Sequence, residues 1–516
     1  MKSRKISHCS WAVDLINCGI MKSNLSRRFV VGALVASVAD VAFANAPLTS
    51  LRPTARAGDF RKRAVRGADA LIANAKLGGK VGFVVADAKT GLILEAKNPV
   101  LPQPPASVTK AITSLYALDS LGSKFRFKTR LLATGPVSNG RLKGDLVLVG
   151  GGDPTLTTDD MAVMAAALKQ AGVREITGKF RVNASALPLV KAIDSSQPDH
   201  VGYNPAVSAL NLNFNRVHFE WKRSGNGYDV AMDARTEKYR PTVRISKIRV
   251  VNRDLPIYTY KDSGGIDTWT VARRALGKGG SRWLPVRKPH LYAAEVFQTM
   301  ARMQGVKLPR ADVAKGAAKG TVLVEHKSDE LQILLRDLLK YSNNMTAESI
   351  GMMASAARGG TGGSLKASAK KMTGWAASRT GTRKSSFVDH SGLGAGSRLT
   401  AGDMVAALVK QGPNGSLAHL MKQIGLRDAN GRVVKGHPIK VHAKTGTLNF
   451  VSALAGYVTA PDGTRLAFAM FMADENRRAG VAKTNREAPQ GSKSWNKAAK
   501  RLQQALIERW ATLYGT

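Results

Sequence analysis

Residues 439–474 read "IKVHAKTGTLNFVSALAGYVTAPDGTRLAFAMFMAD" and decide the fold. Apolar runs are separated by short polar breaks, and Pro461-Asp462-Gly463 is typical of a hairpin turn. The stretch therefore predicts successive strands of a sheet. Its first strand carries Lys444-Thr445-Gly446, a triplet that occurs again at Lys89-Thr90-Gly91.

The copy at residue 89 lies in "KVGFVVADAKTGLILEA", where two apolar runs flank a short connection. This pattern predicts a β-hairpin with Gly91 at the turn, so Lys89 and Thr90 are interpreted as ordinary turn residues. The copy at residue 444 lies within a strand, after two other elements of interest. It is therefore the copy that we expect to carry chemistry.

Two helical stretches precede that strand. In "PQPPASVTKAITSLYALDSLG" (102–122) the prolines favour an extended approach, and apolar residues at helical spacing predict a buried helix that opens at Ser107. "DELQILLRDLLKYSNNMTAESIGMMASAA" (329–357) predicts two helices joined by a polar corner at 342–344. Further helices are predicted at 404–409 and 416–423, and β-rich inserted modules between about 130 and 250.

Three short elements follow one another along the chain: Ser107-Val108-Thr109-Lys110, Ser342-Asn343-Asn344 and Lys444-Thr445-Gly446. A serine hydroxyl is a poor nucleophile until a base takes its proton, and Lys110 lies one helical turn away on the same face. Burial and a second cation, Lys444, would lower the pKa of Lys110 enough for it to act as that base. The three elements together predict a nucleophilic serine site.

The second element supplies complementary groups. Ser342 can pass a proton to the leaving amine, and the Asn344 amide can hold Lys110 and the amide oxygen of a substrate together.

The third element forms the predicted substrate-binding strand. Thr447 N–H, with Ser107 N–H, would form an oxyanion hole, because the first N–H groups of a helix lack intrahelical partners. Gly446 would let the substrate backbone lie close, while Lys444 and Thr445 suit a terminal carboxylate.

With these elements the sequence resembles the serine D-alanyl-D-alanine carboxypeptidases and endopeptidases of the penicillin-binding protein 4 type. The resemblance runs from about residue 80 to about residue 475. It includes "GGGDPTL" at 150–156, "SNNMTAES" at 342–349, "DHSGLG" at 389–394 and "AKTGTLNFVSALAGYV" at 443–458. Asn343, His390 and Gly394 depart from the usual family pattern.

The resemblance implies an α/β fold of the β-lactamase and DD-peptidase kind, with an antiparallel sheet covered by helices on both faces. It implies a discontinuous catalytic domain at 47–129 and 311–516, with nested β-rich domains at 130–310 and an upstream extension and export signal at 1–46. It further implies cleavage of D-alanyl-D-alanine bonds in peptidoglycan stem peptides and cross-links through a Ser107 acyl-enzyme. β-Lactam antibiotics such as penicillin would acylate the same serine, and no cofactor is expected.

Other interpretations remain open. A β-lactamase or esterase of the same fold would deacylate quickly, and the long insertion weighs against it. A non-catalytic peptidoglycan-binding protein would not need the complete set of serines, lysines and asparagine. Tyr341-Ser342-Asn343 also fits the Tyr-x-Asn element of class C β-lactamases, in which Tyr341 would be the base, but "TAES" and the insertion favour Ser342 with Asn344. No histidine has metal-ligand spacing, so no metal site is expected.

The composition limits the class of protein and its partners. A hydrophobic content of 44% over 516 residues excludes general disorder, and a net charge of +42 favours anionic polymers or membrane surfaces. Charge alone does not choose between nucleic acid and the bacterial wall. The family resemblance favours the wall, predicts no nucleic-acid partner and is compatible with a homo-oligomer.

An export signal is predicted from Met21 onwards. "MKSNLSRRFVVGALVASVADVAFANAP" (21–47) has a basic start, an apolar run interrupted by Asp40, and small residues suited to cleavage near Ala44–Ala46. The predicted location is the periplasm. Cys9 and Cys18, the only cysteines, precede Met21, so the mature chain would have no disulfide.

Overall fold

The structure is a computed structural model that describes residues 62 and 64–515, so the predicted export signal lies outside the described residues. In chain order the helices of the described part are α1 (Ala68–Ala75), α2 (Thr109–Leu121), α3 (Thr158–Gln170), α4 (Pro289–Met303), α5 (Leu331–Tyr341), α6 (Asn344–Ala357), α7 (Leu365–Thr380), α8 (Ala401–Gln411), α9 (Ser416–Leu420), α10 (Glu475–Ala479) and α11 (Ser492–Tyr514). None of these helices is long and apolar enough to cross a membrane.

The strands of the same part are β1 (Lys80–Asp87), β2 (Ile93–Lys97), β3 (Lys128–Ala133), β4 (Val137–Ser138), β5 (Arg141–Leu142), β6 (Leu146–Val149), β7 (Glu175–Ile176), β8 (Phe180–Asn183), β9 (Arg216–Ser224), β10 (Gly227–Asp233), β11 (Ser246–Val251), β12 (Tyr258–Ser263), β13 (Ile266–Ala272), β14 (Gly279–Pro285), β15 (Asp312–Val313), β16 (Thr321–Lys327), β17 (Lys422–Gln423), β18 (Lys440–Leu448), β19 (Val451–Thr459) and β20 (Arg465–Ala473).

The stretch at 439–474 forms the centre of a six-stranded sheet in the order β17-β18-β19-β20-β1-β2. Every neighbouring pair is antiparallel. The predicted succession of strands is confirmed, as is the hairpin between β1 and β2, where Gly91 has φ 78°. Asp87 Oδ1 accepts hydrogen bonds from the N–H groups of Lys89 and Thr90, so the first Lys-Thr-Gly copy is a hairpin tip.

Helices cover both faces of this sheet, as the predicted fold class requires. Alternate residues of β20 point to opposite sides: Ala467, Ala469 and Phe471 pack in the core with α2, α6 and α8. Phe468 and Met470 pack in the other core, with α1 and α11. The period of two along one buried strand therefore separates the two hydrophobic layers.

The chain between β3 and β16 forms a second region with its own core. Its sheets have the orders β15-β8-β6-β3-β16, β10-β9-β14, β11-β13-β12 and β4-β5-β7. Most of the buried apolar residues between Leu131 and Val324 belong to one hydrophobic cluster, which includes residues of α3 and α4. Strand pairing carries this region to residue 327, past the predicted boundary at 310, because β16 pairs with β3. The number of domains within it stays a prediction.

One predicted helix is too long. The helix expected at 416–423 ends at Leu420, and Lys422–Gln423 forms β17, which pairs with Ala443 and His442 of β18. The pairing partner lies twenty residues further along the chain, so local helical periodicity could not reveal it. The two helices around the polar corner predicted at 342–344 are confirmed as α5 and α6, although α6 already begins at Asn344.

Candidate active site

Ser107 lies in a single 3₁₀ turn, Ala106–Val108, directly before α2. The regular helix begins at Thr109, two residues after the predicted start. Ala106 and Val108 are fully buried, whereas Ser107 is half-buried and lines the cleft. Ala106 has φ 46°, a left-handed conformation that is costly for a residue with a Cβ. Surrounding packing thus holds a strained turn that presents the Ser107 hydroxyl.

Lys110 is fully buried behind that hydroxyl. Its Nζ lies 2.9 Å from Ser107 Oγ, 2.8 Å from Asn344 Oδ1 and 2.8 Å from the Ser391 carbonyl oxygen. The last two oxygens can only accept hydrogen bonds. A neutral amine therefore donates both hydrogens to them and directs its lone pair at the serine hydroxyl, which is the geometry of a general base.

The surroundings of Lys110 also adjust its proton affinity. Burial lowers the pKa of Lys110 below the ordinary value, while the charges of Glu348 and Asp389 oppose that shift. Lys444, on β18, is also buried. Its burial, and to a lesser extent repulsion from Lys110 and Lys422, places the pKa of Lys444 well below 10.5. The two lysines thus lie close enough for their charges to interact.

Glu348 and Asp389 are buried carboxylates that the sequence analysis did not assign. Glu348 accepts hydrogen bonds from the N–H groups of His390 at 2.8 Å and Ser391 at 2.9 Å. It thereby fixes the loop whose Ser391 carbonyl accepts from Lys110. Burial raises the pKa of both carboxyl groups. A lone glutamate among the apolar and small residues of "MTAESIGMMASAA" was the signal available in the sequence.

Ser342 follows the last residue of α5 and has φ 62°, a second left-handed residue at the site. Its Oγ lies 2.9 Å from Lys444 Nζ, which also donates to the Thr445 carbonyl oxygen at 2.8 Å. Tyr341 is 67% exposed and lies against Lys340, and the cleft is lined by Ser342 instead. The geometry favours Ser342 over Tyr341 as the proton-transfer group.

Asn344 is placed by the start of α6. Asn343 caps that helix by accepting from the Thr346 N–H, so its side chain has a structural role. The Asn344 Nδ2 donates to the Tyr203 carbonyl oxygen at 2.9 Å while its Oδ1 accepts from Lys110. Tyr203 belongs to the second region, which therefore reaches the catalytic centre, a contact absent from the sequence prediction.

β18 forms one wall of the cleft, with Thr445, Gly446 and Thr447 lining it. The structure gives a reason for Gly446 that the sequence did not: a Cβ there would lie 2.7 Å from the Pro105 carbonyl oxygen and 3.1 Å from Ser107 N. The missing side chain lets β18 lie directly against the turn that carries the nucleophile.

The cleft has a volume of about 1710 Å³ and brings together Ser107, Ser342 and Asn344 with the strand residues just described. Lys110 and Lys444 lie behind it, hydrogen-bonded to the two serines. The structure therefore assembles all eight residues that the sequence analysis selected.

One group of residues away from this cleft has metal-binding side-chain types. His218, Glu220 and Asp233 place ligand atoms within 4.8 Å of one another. Arg235 already bridges the two carboxylates, at 2.5 Å from Glu220 and 2.8 Å from Asp233. A cation is thus supplied by the chain itself, so the cluster is interpreted as an ion-pair network.

Comparison with known proteins supports these observations. The model of the D-Ala-D-Ala carboxypeptidase 3 (S13) family matches residues 65–492. The D-alanyl-D-alanine carboxypeptidase of Actinomadura sp. strain R39 is 28% identical over 452 residues, covering 78% of this chain and 79% of the relative. The D-alanyl-D-alanine carboxypeptidase DacB of Haemophilus influenzae is 25% identical over 425 residues, covering 77% of this chain and 85% of the relative.

The fold is also known from solved structures. The crystal structure of H. influenzae penicillin binding protein 4 matches with a TM-score of 0.67 and 21% identity, covering 87% of this chain and 99% of that chain. A second structure of the same protein, complexed with a novel β-lactam, matches with a TM-score of 0.66 and 20% identity, again covering 87% of this chain and 99% of that chain.

Proposed function

Because the chain belongs to the D-Ala-D-Ala carboxypeptidase 3 (S13) family, we propose that it hydrolyses D-alanyl-D-alanine bonds of peptidoglycan through a Ser107 acyl-enzyme. The observation that carries the proposal is the environment of Lys110. Two oxygens that can only accept hold its amine 2.9 Å from Ser107 Oγ. A base in this position makes the hydroxyl nucleophilic.

Acylation begins when Ser107 Oγ attacks the carbonyl carbon of the scissile amide and its proton passes to Lys110 Nζ. The N–H groups of Ser107 and Thr447 stabilise the negative charge on the carbonyl oxygen. As the C–N bond breaks, Ser342 gives its proton to the departing amine of D-alanine and is reprotonated from the two lysines. Water then attacks the ester, with the same groups working in reverse, and releases the shortened peptide.

The strand edge fits the backbone of the substrate. β17 pairs with β18 at Ala443 and His442, so within the described part of the chain residues 444–448 have no strand partner on the cleft side. An extended peptide can add to such an edge through main-chain hydrogen bonds. We expect Thr445, which lines the cleft, to bind its terminal carboxylate, with the charge of Lys444 behind it.

A β-lactam would react at the same serine, since its strained amide resembles the peptide end and gives an ester that hydrolyses slowly. The β-lactam complex of the H. influenzae protein, described above, supports this part of the proposal. Cleavage of cross-links between stem peptides uses the same chemistry and is proposed with it.

The predicted export signal leads us to propose that the enzyme works in the periplasm, where its peptidoglycan substrate is. Fractionation of cells that express the full chain tests this: the mature protein should appear in the periplasmic extract. Recovery of an uncleaved chain from the cytoplasm would contradict it.

The activity is tested with a soluble peptide ending in D-Ala-D-Ala, by measuring released D-alanine. Two controls are needed: the same peptide ending in D-Ala-L-Ala, and the Ser107→Ala variant. We expect release only from the wild-type enzyme with the first peptide. Equal release by Ser107→Ala would refute the assignment of the nucleophile.

A further inference from the structure

The cleft that holds Ser107 continues beyond the catalytic residues. Its lining also includes the loop 425–431 and residues of α11 between 492 and 508, which are here called its two walls. Gln504 of α11 ties the two walls together: its Oε1 accepts from Arg427 N–H at 3.0 Å and its Nε2 donates to the Arg427 carbonyl oxygen at 2.6 Å. The extension, here called the basic groove, is therefore a built channel with fixed walls.

Cations line both walls of the basic groove. On α11 the spacing i, i+4, i+7, i+8 places four exposed cations on one face, and two more line the cleft from β17 and the loop 425–431. The six residues are Lys422, Arg427, Lys493, Lys497, Lys500 and Arg501. Among residues 62 and 64–515, none of the six forms an ion pair, and the Arg427 guanidinium donates only to the Gly431 carbonyl oxygen.

The carboxylates in the basic groove do not balance this charge. Asp428 accepts from the Arg432 N–H, and Glu508 accepts from Gln504. Like charges at i and i+4 destabilise a helix, and cations on facing walls repel one another. An anion bound between the walls would relieve both effects, so the arrangement points to an anionic ligand.

The position of the basic groove limits what that ligand can be. Its lining includes Lys422 of β17, which pairs with Ala443, the residue directly before Lys444. An anion bound there lies next to the reacting peptide. Lys493 and Arg501 are eight residues apart, about 12 Å along a helix, or about four residues of an extended chain. The stem peptides of peptidoglycan are extended chains that carry free carboxylates, so their charge complements these cations.

We propose that the basic groove is a second substrate-binding site, which holds carboxylates of peptidoglycan adjacent to the peptide that reacts at Ser107. This inference rests on the proposed function. It predicts that the enzyme favours polymeric peptidoglycan over short peptides, which are too small to occupy the cleft and the groove together.

The test measures binding of Ser107→Ala protein to purified insoluble peptidoglycan by sedimentation, so that no substrate is consumed. Two further variants are made in that background. The groove variant carries Lys493→Gln, Lys497→Gln, Lys500→Gln and Arg501→Gln. The control variant loses the same charge from exposed positions on β9, β11 and β12: Lys222→Gln, Lys247→Gln, Arg249→Gln and Lys261→Gln. Thermal unfolding verifies that each is folded.

We expect the groove variant to bind about ten-fold more weakly and the control variant to bind as Ser107→Ala does, because several exposed charge contacts each contribute modestly. Ser107→Ala protein should bind peptidoglycan with amidated carboxyl groups as weakly as the groove variant binds unmodified peptidoglycan. Equal binding of the groove and control variants would overturn the proposal. So would a groove variant that loses affinity only for a phosphate polymer such as duplex DNA.

Failure of the proposed function gives a different result. In that case the folded wild-type enzyme would release no D-alanine from any peptide, whatever the binding assay shows.

Discussion

Gly446→Ala tests whether the contact between β18 and the nucleophile turn sets the reaction geometry. The new Cβ would lie 2.7 Å from the Pro105 carbonyl oxygen and 3.1 Å from Ser107 N, where ordinary contact begins at 3.4 Å. The strand would have to move by about 0.7 Å, the difference between 2.7 and 3.4 Å. Backbone atoms cannot rotate away, so overpacking should cost about 1–3 kcal/mol.

The same shift should separate the Ser107 and Thr447 N–H groups, and displacements approaching 1 Å can lower rates by about 10²-fold. The assay is the second-order rate of acylation by a fluorescent penicillin, together with denaturant unfolding. The matched control is Gly374→Ala in α7, where no heavy atom lies within 4 Å of the new Cβ. It should stabilise the helix by up to about 1 kcal/mol and leave acylation unchanged. If Gly446→Ala acylates within two-fold of the wild-type rate and β18 has not moved, the contact between β18 and the turn does not set the reaction geometry.

Three further predictions concern the base and its support. Acylation should accelerate as pH rises through the lowered pKa of Lys110, because the neutral amine is the base; a rate that does not change between about pH 6 and pH 10 would contradict this. Lys110→Met, similar in length but without a proton acceptor, should lower the acylation rate by about 10²–10⁴-fold while the protein stays folded; a loss below ten-fold would exclude Lys110 as the base. Glu348→Gln places an amide N–H donor against one of the two buried N–H groups, those of His390 and Ser391, so the free energy of unfolding should fall by about 2–3 kcal/mol. An unchanged denaturant midpoint would show that Glu348 does not position the loop that carries Ser391.

The site residues selected from the sequence lie together in one cleft, and their selection was possible because order and spacing carry local information. Ser107 and Lys110 are one helical turn apart. The other Lys-Thr-Gly copy, at residues 89–91, is recognisable as a hairpin turn. α3 also has a signal in the sequence, since Thr157 and Asp160 form a capping box, but it lies within a stretch whose texture predicts β-rich modules.

What the sequence could not predict depends on contacts between distant segments. Tyr203 supplies a carbonyl oxygen to Asn344 from 141 residues away. Gly446 faces the turn at 105–107 and leaves room for it. No local sequence pattern indicates that this residue of β18 faces that turn. The end of the second region at 327 is set by pairing between β3 and β16 rather than by composition.

Intact-protein mass spectrometry after incubation with penicillin shows directly whether a covalent acyl-enzyme forms at Ser107. We predict a gain of one whole penicillin molecule, located on the peptide that contains Ser107, persisting for many minutes and absent from Ser107→Ala. An adduct on another residue, or a folded wild-type protein that gains no mass, would contradict it.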